Sequence, residues 1–281
     1  MKFTSFEIDG NYKYGSVSDG NILPASADFS QNYPDLKAAI SSEMAHKMEF
    51  GTAIPLEKVK LLPPIPNPQK IICAGLNYNK KYPVDVIAPE IPSEPVVFSR
   101  FNDSLIGHGE NLDFPPGLAG DTYDYEGEIV VVIGKPMWRV SKTDVKKYIF
   151  GFSIMNEGSV RGYQKHSVHA GKNFYRSGSW GPWIVSVSEA QPIPNMRLET
   201  RVNGVLKQSA YGDQMLFSVP RLLSYLSHLY PLAAGDIIAT GSPEGSGGSS
   251  SPPKFLIPGD TVSVSVSSLG TLRNQVSYNG A

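Results

Sequence analysis

The sequence of 281 residues has a single cysteine, so no intrachain disulfide is available and the core has to hold the fold. Cys73 lies in an apolar run with Ile71, Ile72 and Ala74, which reads as a buried small hydrophobe rather than a nucleophile. Charge of one sign is also lacking. Twenty-five basic residues face 26 acidic ones, a formal net charge of −1. That balance supplies no bulk attraction to nucleic acid or to an acidic membrane, and neither is expected as a partner. Long apolar runs are missing as well: no stretch reaches the roughly 20 residues that cross a bilayer. Residues 1–6 carry no apolar segment of a secretory signal, and residues 279–281 are not a peroxisomal address. The expected compartment is the reducing cytoplasm. No internal repeat and no heptad pattern is present.

Turns, by contrast, are abundant. The 27 glycines and 23 prolines are scattered rather than periodic, which suits many short strands. Residues 2–8 alternate apolar and polar, the pattern of a half-buried strand. Residues 33–50 read as a helix, with Leu36, Ala39, Ile40, Met44 and Met48 spaced near 3.6. Four prolines then fall within residues 63–68, where neither helix nor central strand can continue. This places a boundary between a small N-terminal α+β domain, 1–65, and a larger domain, 66–281. Strands are expected at 70–74, 95–99, 125–134, 148–155, 183–187, 236–240 and 261–266. Asn203-Gly204 marks a hairpin within 198–208, and 217–229 is an amphipathic helix with Pro220 in its first turn. The fold class is mainly β with some α (α+β). Strands and helices do not alternate, which argues against Rossmann and TIM architectures. Residues 246–253 read as a flexible loop, either the edge of a site or plain surface.

The chemistry concentrates at Glu126-Gly127-Glu128, at the start of the strongest strand. Residues i and i+2 of a strand share a face, with Cα atoms roughly 6.5–7 Å apart. Two glutamates on one face are either a solvated strand edge or ligands for one hard divalent ion; oxygen ligands select Mg²⁺, Mn²⁺ or Ca²⁺ over zinc. Gly127 leaves room on the opposite face for close packing. Glu157 ends the next strand-like run and reaches the same ion if the two strands pair. The stretch after it is polar, and Arg161 and Lys172 suit a substrate carboxylate. His166 and His169 stand at i and i+3, but nothing else supports zinc.

These residues resemble the fumarylacetoacetate hydrolase superfamily. Nine segments match in order across about 66–276, among them Ala74-Gly75-Leu76-Asn77-Tyr78, Asp124-Tyr125-Glu126-Gly127-Glu128, Asn156-Glu157-Gly158-Ser159-Val160-Arg161, Gly171-Lys172-Asn173-Phe174 and Thr240-Gly241-Ser242-Pro243-Glu244-Gly245. The resemblance implies a β-roll catalytic domain, a homodimer, and a Mg²⁺ or Mn²⁺ ion held by Glu126, Glu128 and Glu157. It implies substrate-binding roles for Arg161, Gln164, Lys172 and Ser242. Three departures stand out. The third ligand is glutamate where the family has aspartate. Gly162 replaces the aspartate that follows the arginine. In the lid, Lys81 and Val84 occupy the places of the histidine and glutamate that activate water in many members. The usual general base is therefore absent, and Lys172 and Lys81 become the candidate proton carriers, provided desolvation lowers the pKa. The expected function is a Mg²⁺-dependent enzyme acting through an enolate on a small 2-oxo or β-dicarbonyl acid, of C–C hydrolase or decarboxylase type. The alternatives are a tautomerase, isomerase or dehydratase of a 2-oxo acid, or a catalytically weak binding protein.

Overall fold

The computed structural model describes residues 1–79 and 90–278. Its organising element is the strand Gly127–Ile133, buried over its whole length. It lies between Ile149–Asn156 and Ile237–Ala239, antiparallel to both. Ile129, Val131 and Ile133 enter one core with Leu198, Val262 and Val264 of a five-stranded sheet and Leu222, Leu223 and Leu226 of a helix. Val130 and Val132 enter a second core with Leu36, Ala39, Ile40, Phe150, Trp180 and Ile184. Both faces are covered, which is why this strand reads as a continuous apolar run rather than an alternation.

The large sheet contains twelve of the described strands and runs from Ile54–Pro55 at one edge through Lys2–Ile8, Gly178–Ser186 and the central strand to Val96–Ser99 at the other. The smaller sheet contains the expected hairpin, Arg197–Val202 and Val205–Tyr211. Its turn has φ of 50° at Asn203 and 79° at Gly204, the two positive angles of a type I′ turn. The architecture is α+β, as composition and turn pattern indicate. No helix among the described residues is long and apolar enough to cross a membrane.

The helix expected over 33–50 is shorter. It runs Leu36–Ser41, capped by the Asp35 carboxylate on the Ala38 amide at 2.7 Å. Glu43 then adopts φ 57°, and the Met44 and Glu43 amides bond back to Ala39 and Ile40 at 2.8 and 2.9 Å. That pair of bonds is a Schellman ending, which reverses the chain. Met48 stays buried because the chain folds back, not because the helix continues. The strands of residues 1–65 hydrogen-bond into the large sheet: Lys2 and Phe3 pair with Val185 and Ile184. The segment 246–253 is tied down where its composition suggested freedom. The amides of Gly247 and Gly248 donate to the buried Asp124 carboxylate at 2.7 and 2.9 Å.

Candidate metal and substrate site

Pairing of the two central strands assembles the acids. Gly127 stands opposite Asn156, so Glu126 and Glu128 flank the position beside which Glu157 leaves its strand. The Glu157 amide donates to the Glu126 carbonyl at 2.7 Å, fixing the junction. All three side chains are buried, and a carboxylate oxygen from each lies within 4.8 Å of the others. Gly127 is required by packing: a Cβ there would meet Thr200 Oγ1 at 2.1 Å.

Cations surround the acids. Lys172 Nζ donates to Glu157 Oε2 at 2.7 Å and also to Glu126 Oε2. Arg161 spans Asp124, 2.8 Å from Nε, and Glu126, 2.7 Å from NH2. Arg100 NH1 lies 3.8 Å from Glu157 Oε1. Glu128 accepts the Gly241 amide at 2.7 Å. Burial pushes the Glu128 carboxyl well above the usual carboxylate range, and the Glu157 and Glu126 charges push it the same way. Burial alone would lower the Lys172 ammonium, the direction expected from sequence for a proton carrier, but the Glu126 and Glu157 carboxylates more than offset that and its pKa is raised instead.

The donor set fits a hard divalent ion. It is all oxygen, it is buried, and Glu157 Oε1 has no hydrogen-bond partner. Beside it lies a cavity of about 330 Å³, lined by the three glutamates, Arg161, Gln164, Lys172 and Ser242, with Leu76, Val96 and Phe98 as apolar wall. The Lys172 ammonium sits 5.3 Å from the Phe98 ring centroid.

Most of the residues singled out in the sequence therefore meet in one place. Gln164 Oε1 accepts from Arg161 at 3.2 Å, and Ser242 Oγ accepts from Gln208 Nε2 at 2.8 Å. Lys81 lies outside the described residues. His169 stacks edge-on to Phe101 and His166 to Tyr163, each at 5.0 Å, and neither joins the acids. Cys73 is fully buried, and burial pushes its thiol up, as expected of an inert position. Sequence reasoning gave no role to Arg100, Asp124, Phe98 or Gln208. Asp124 adjoins the glutamate motif, and that proximity was the available signal for it; Arg100 directly follows the strand expected at 95–99.

An α+β fold with a buried acidic centre under a small cavity defines the class of protein. The C-terminal model of the fumarylacetoacetate (FAA) hydrolase family matches residues 70–277, and the chain belongs to that family. It is 41% identical to the oxaloacetate tautomerase YisK of Bacillus subtilis (strain 168) over 224 residues, 79% of this chain and 74% of that protein. To the mitochondrial oxaloacetate tautomerase Fahd2a of Rattus norvegicus it is 34% identical over 226 residues, 79% of this chain and 71% of that protein. Among solved structures it resembles the fumarylacetoacetate hydrolase of psychrophilic Exiguobacterium antarcticum, with a TM-score of 0.85 and 30% identity over 99% of this chain and 100% of that one. A 5-carboxymethyl-2-hydroxymuconate delta-isomerase of Mycobacterium smegmatis aligns with a TM-score of 0.79 and 28% identity over 99% of this chain and 100% of that one.

Proposed function

We propose that the chain is a tautomerase or isomerase of a small 2-oxo acid, interconverting enol and keto forms. This replaces the leading expectation from sequence, C–C hydrolysis or decarboxylation, with its alternative. The observation that carries it is the buried triad Glu126, Glu128 and Glu157 with Lys172 beside a small cavity. The similarity to two oxaloacetate tautomerases supports the same reading.

A Mg²⁺ or Mn²⁺ ion held by Glu126, Glu128 and Glu157 supplies, when bound, Lewis-acid stabilisation of enolate charge. Ser242 and Arg161 orient the substrate carboxylate at the cavity wall. Phe98, Leu76 and Val96 give that side of the cavity an apolar wall. Lys172, whose side-chain nitrogen lies at the cavity against Glu126 and Glu157, is the group we assign to proton transfer, with Lys81 as a second candidate. Tautomerisation removes one proton from the enol hydroxyl and adds one to the neighbouring carbon. No water is consumed and no carbon–carbon bond breaks. A site without the water-activating histidine and glutamate is therefore adequate for it.

The test follows the ultraviolet absorbance of enol-oxaloacetate with Mg²⁺, with Mn²⁺ and with a chelator, while pyruvate formation is assayed in parallel. Metal-dependent acceleration of enol loss without pyruvate is the expected result. Pyruvate release matching enol loss would replace the reading with a decarboxylase.

A further inference from the structure

Gln208 belongs to the smaller sheet, yet its buried side chain reaches two parts of the site. Its Oε1 accepts from the amide of Gly127, between Glu126 and Glu128, at 2.9 Å. Its Nε2 donates to Ser242 Oγ and to the Pro243 carbonyl, both at 2.8 Å. This orientation is dictated by the partners. The Gly127 N–H only donates and the Pro243 carbonyl only accepts, so the amide oxygen faces the first and the nitrogen the second. Ser242 Oγ is thereby an acceptor from Gln208, and its own proton points elsewhere. Among the described residues its acceptor is the Pro243 carbonyl at 3.3 Å, a long bond to an oxygen that Gln208 engages at 2.8 Å, and the weaker of the two is the one a substrate carboxylate can replace. Ser242 lines the cavity with the glutamates, Arg161 and Lys172.

We propose that Gln208 is a positioning residue: it fixes the polarity of Ser242, so that the hydroxyl donates to a substrate carboxylate, and ties that donor to the Glu126–Glu128 strand. The proposal rests on the reading of Ser242 as a substrate-binding group. One amide then sets both the direction of the donor and its spacing from the acidic centre, and free carboxylates are the substrates it favours.

The test measures oxalate binding to the Mg²⁺-saturated protein by calorimetry, together with kcat and KM for enol-oxaloacetate. The variants are Ser242→Ala, Gln208→Leu, Gln208→Glu and the double Ser242→Ala/Gln208→Leu. Each single alanine or leucine change should weaken oxalate binding and raise KM by about tenfold, the loss of one hydrogen bond to a charged group. Mg²⁺ affinity should change less than oxalate affinity. The double variant should be no worse than the weaker single, because Gln208 acts through Ser242. Gln208→Glu keeps an acceptor for the Gly127 amide but draws the Ser242 proton to itself, so it too should raise KM; it decides the matter if Gln208→Leu does not fold. Additive losses in the double variant, or wild-type oxalate affinity in a folded Gln208 variant while Ser242→Ala is impaired, would overturn the proposal alone. Wild-type affinity and KM in Ser242→Ala would overturn the substrate role of Ser242 and this proposal with it.

Discussion

Glu157, where the resemblance leads one to expect aspartate, meets two cations. Its Oε2 accepts from Lys172 at 2.7 Å, and its Oε1 lies 3.8 Å from Arg100 NH1. On the proposed reading, in which the glutamates hold the ion and Lys172 moves the proton, the two roles should be separable by substitution. In Glu126→Ala and Glu157→Gln, Mg²⁺ affinity measured by calorimetry should fall more than about tenfold, since even groups that merely support a ligand account for ten- to a hundredfold. In Lys172→Met, metal binding should persist while kcat falls by about 10²–10⁴, the usual contribution of a positioned acid or base. Retained turnover in Lys172→Met would move the assignment to Lys81. The acids were legible in the sequence because two lie at i and i+2 of one strand and the third ends the strand that pairs with it. Arg100 and Gln208 were not. They reach Glu157 and Gly127 from elements far away in the chain, and neither spacing nor residue type marks such non-local contacts.

At the scale of elements, the central strand admits no side chain at Gly127. An alanine Cβ would press on Thr200 Oγ1 and lie 3.0 Å from Val264 Cγ1. Gly127→Ala should cost about 1–3 kcal/mol in stability through overpacking, read from denaturant unfolding. The Thr200 hydroxyl is buried without a hydrogen-bond partner, so deleting it sacrifices little. The double variant Gly127→Ala/Thr200→Ala should recover part of the loss; no recovery would place the strain in the strand backbone instead. Strand periodicity and turn chemistry served well here: the Asn203-Gly204 hairpin and the helix Val219–Leu229 stand close to where the residues put them. The helix over 33–50 failed for a definable reason. Apolar spacing continues through Met48, but it records burial after a chain reversal, and no glycine announces the left-handed residue, which is Glu43.

Across the whole molecule, the second core joins residues on both sides of the boundary at 65. Leu36, Ala39 and Ile40 pack with Val130, Val132, Phe150 and Trp180. The division into 1–65 and 66–281 is then best proposed as one of role, with the acidic centre wholly in the second part and the first part covering its sheet. Glu110 links the two parts, 3.3 Å from Lys60 and 3.2 Å from Arg176, with the Gly107 amide donating at 3.0 Å. Burial alone would raise its pKa, but the Gly107 amide, Lys60 and Arg176 together bring it below the ordinary value of 4.5. A carboxylate depressed in the folded state contributes stability that is complete above its unfolded value and lost as the pH falls through the folded one. Stability from Glu110 should thus be full at neutral pH and decline below pH 4.5. Lys60 is half exposed, so solvent screens its share, and the buried amide and Arg176 carry most of the effect. Melting temperatures of wild type and Glu110→Gln across that range give the test. The variant should melt lower at pH 7, and the gap should close as acid protonates the wild-type carboxyl. A gap unchanged down to acid pH would show that the charge of Glu110 does not hold the N-terminal strands to the rest of the chain.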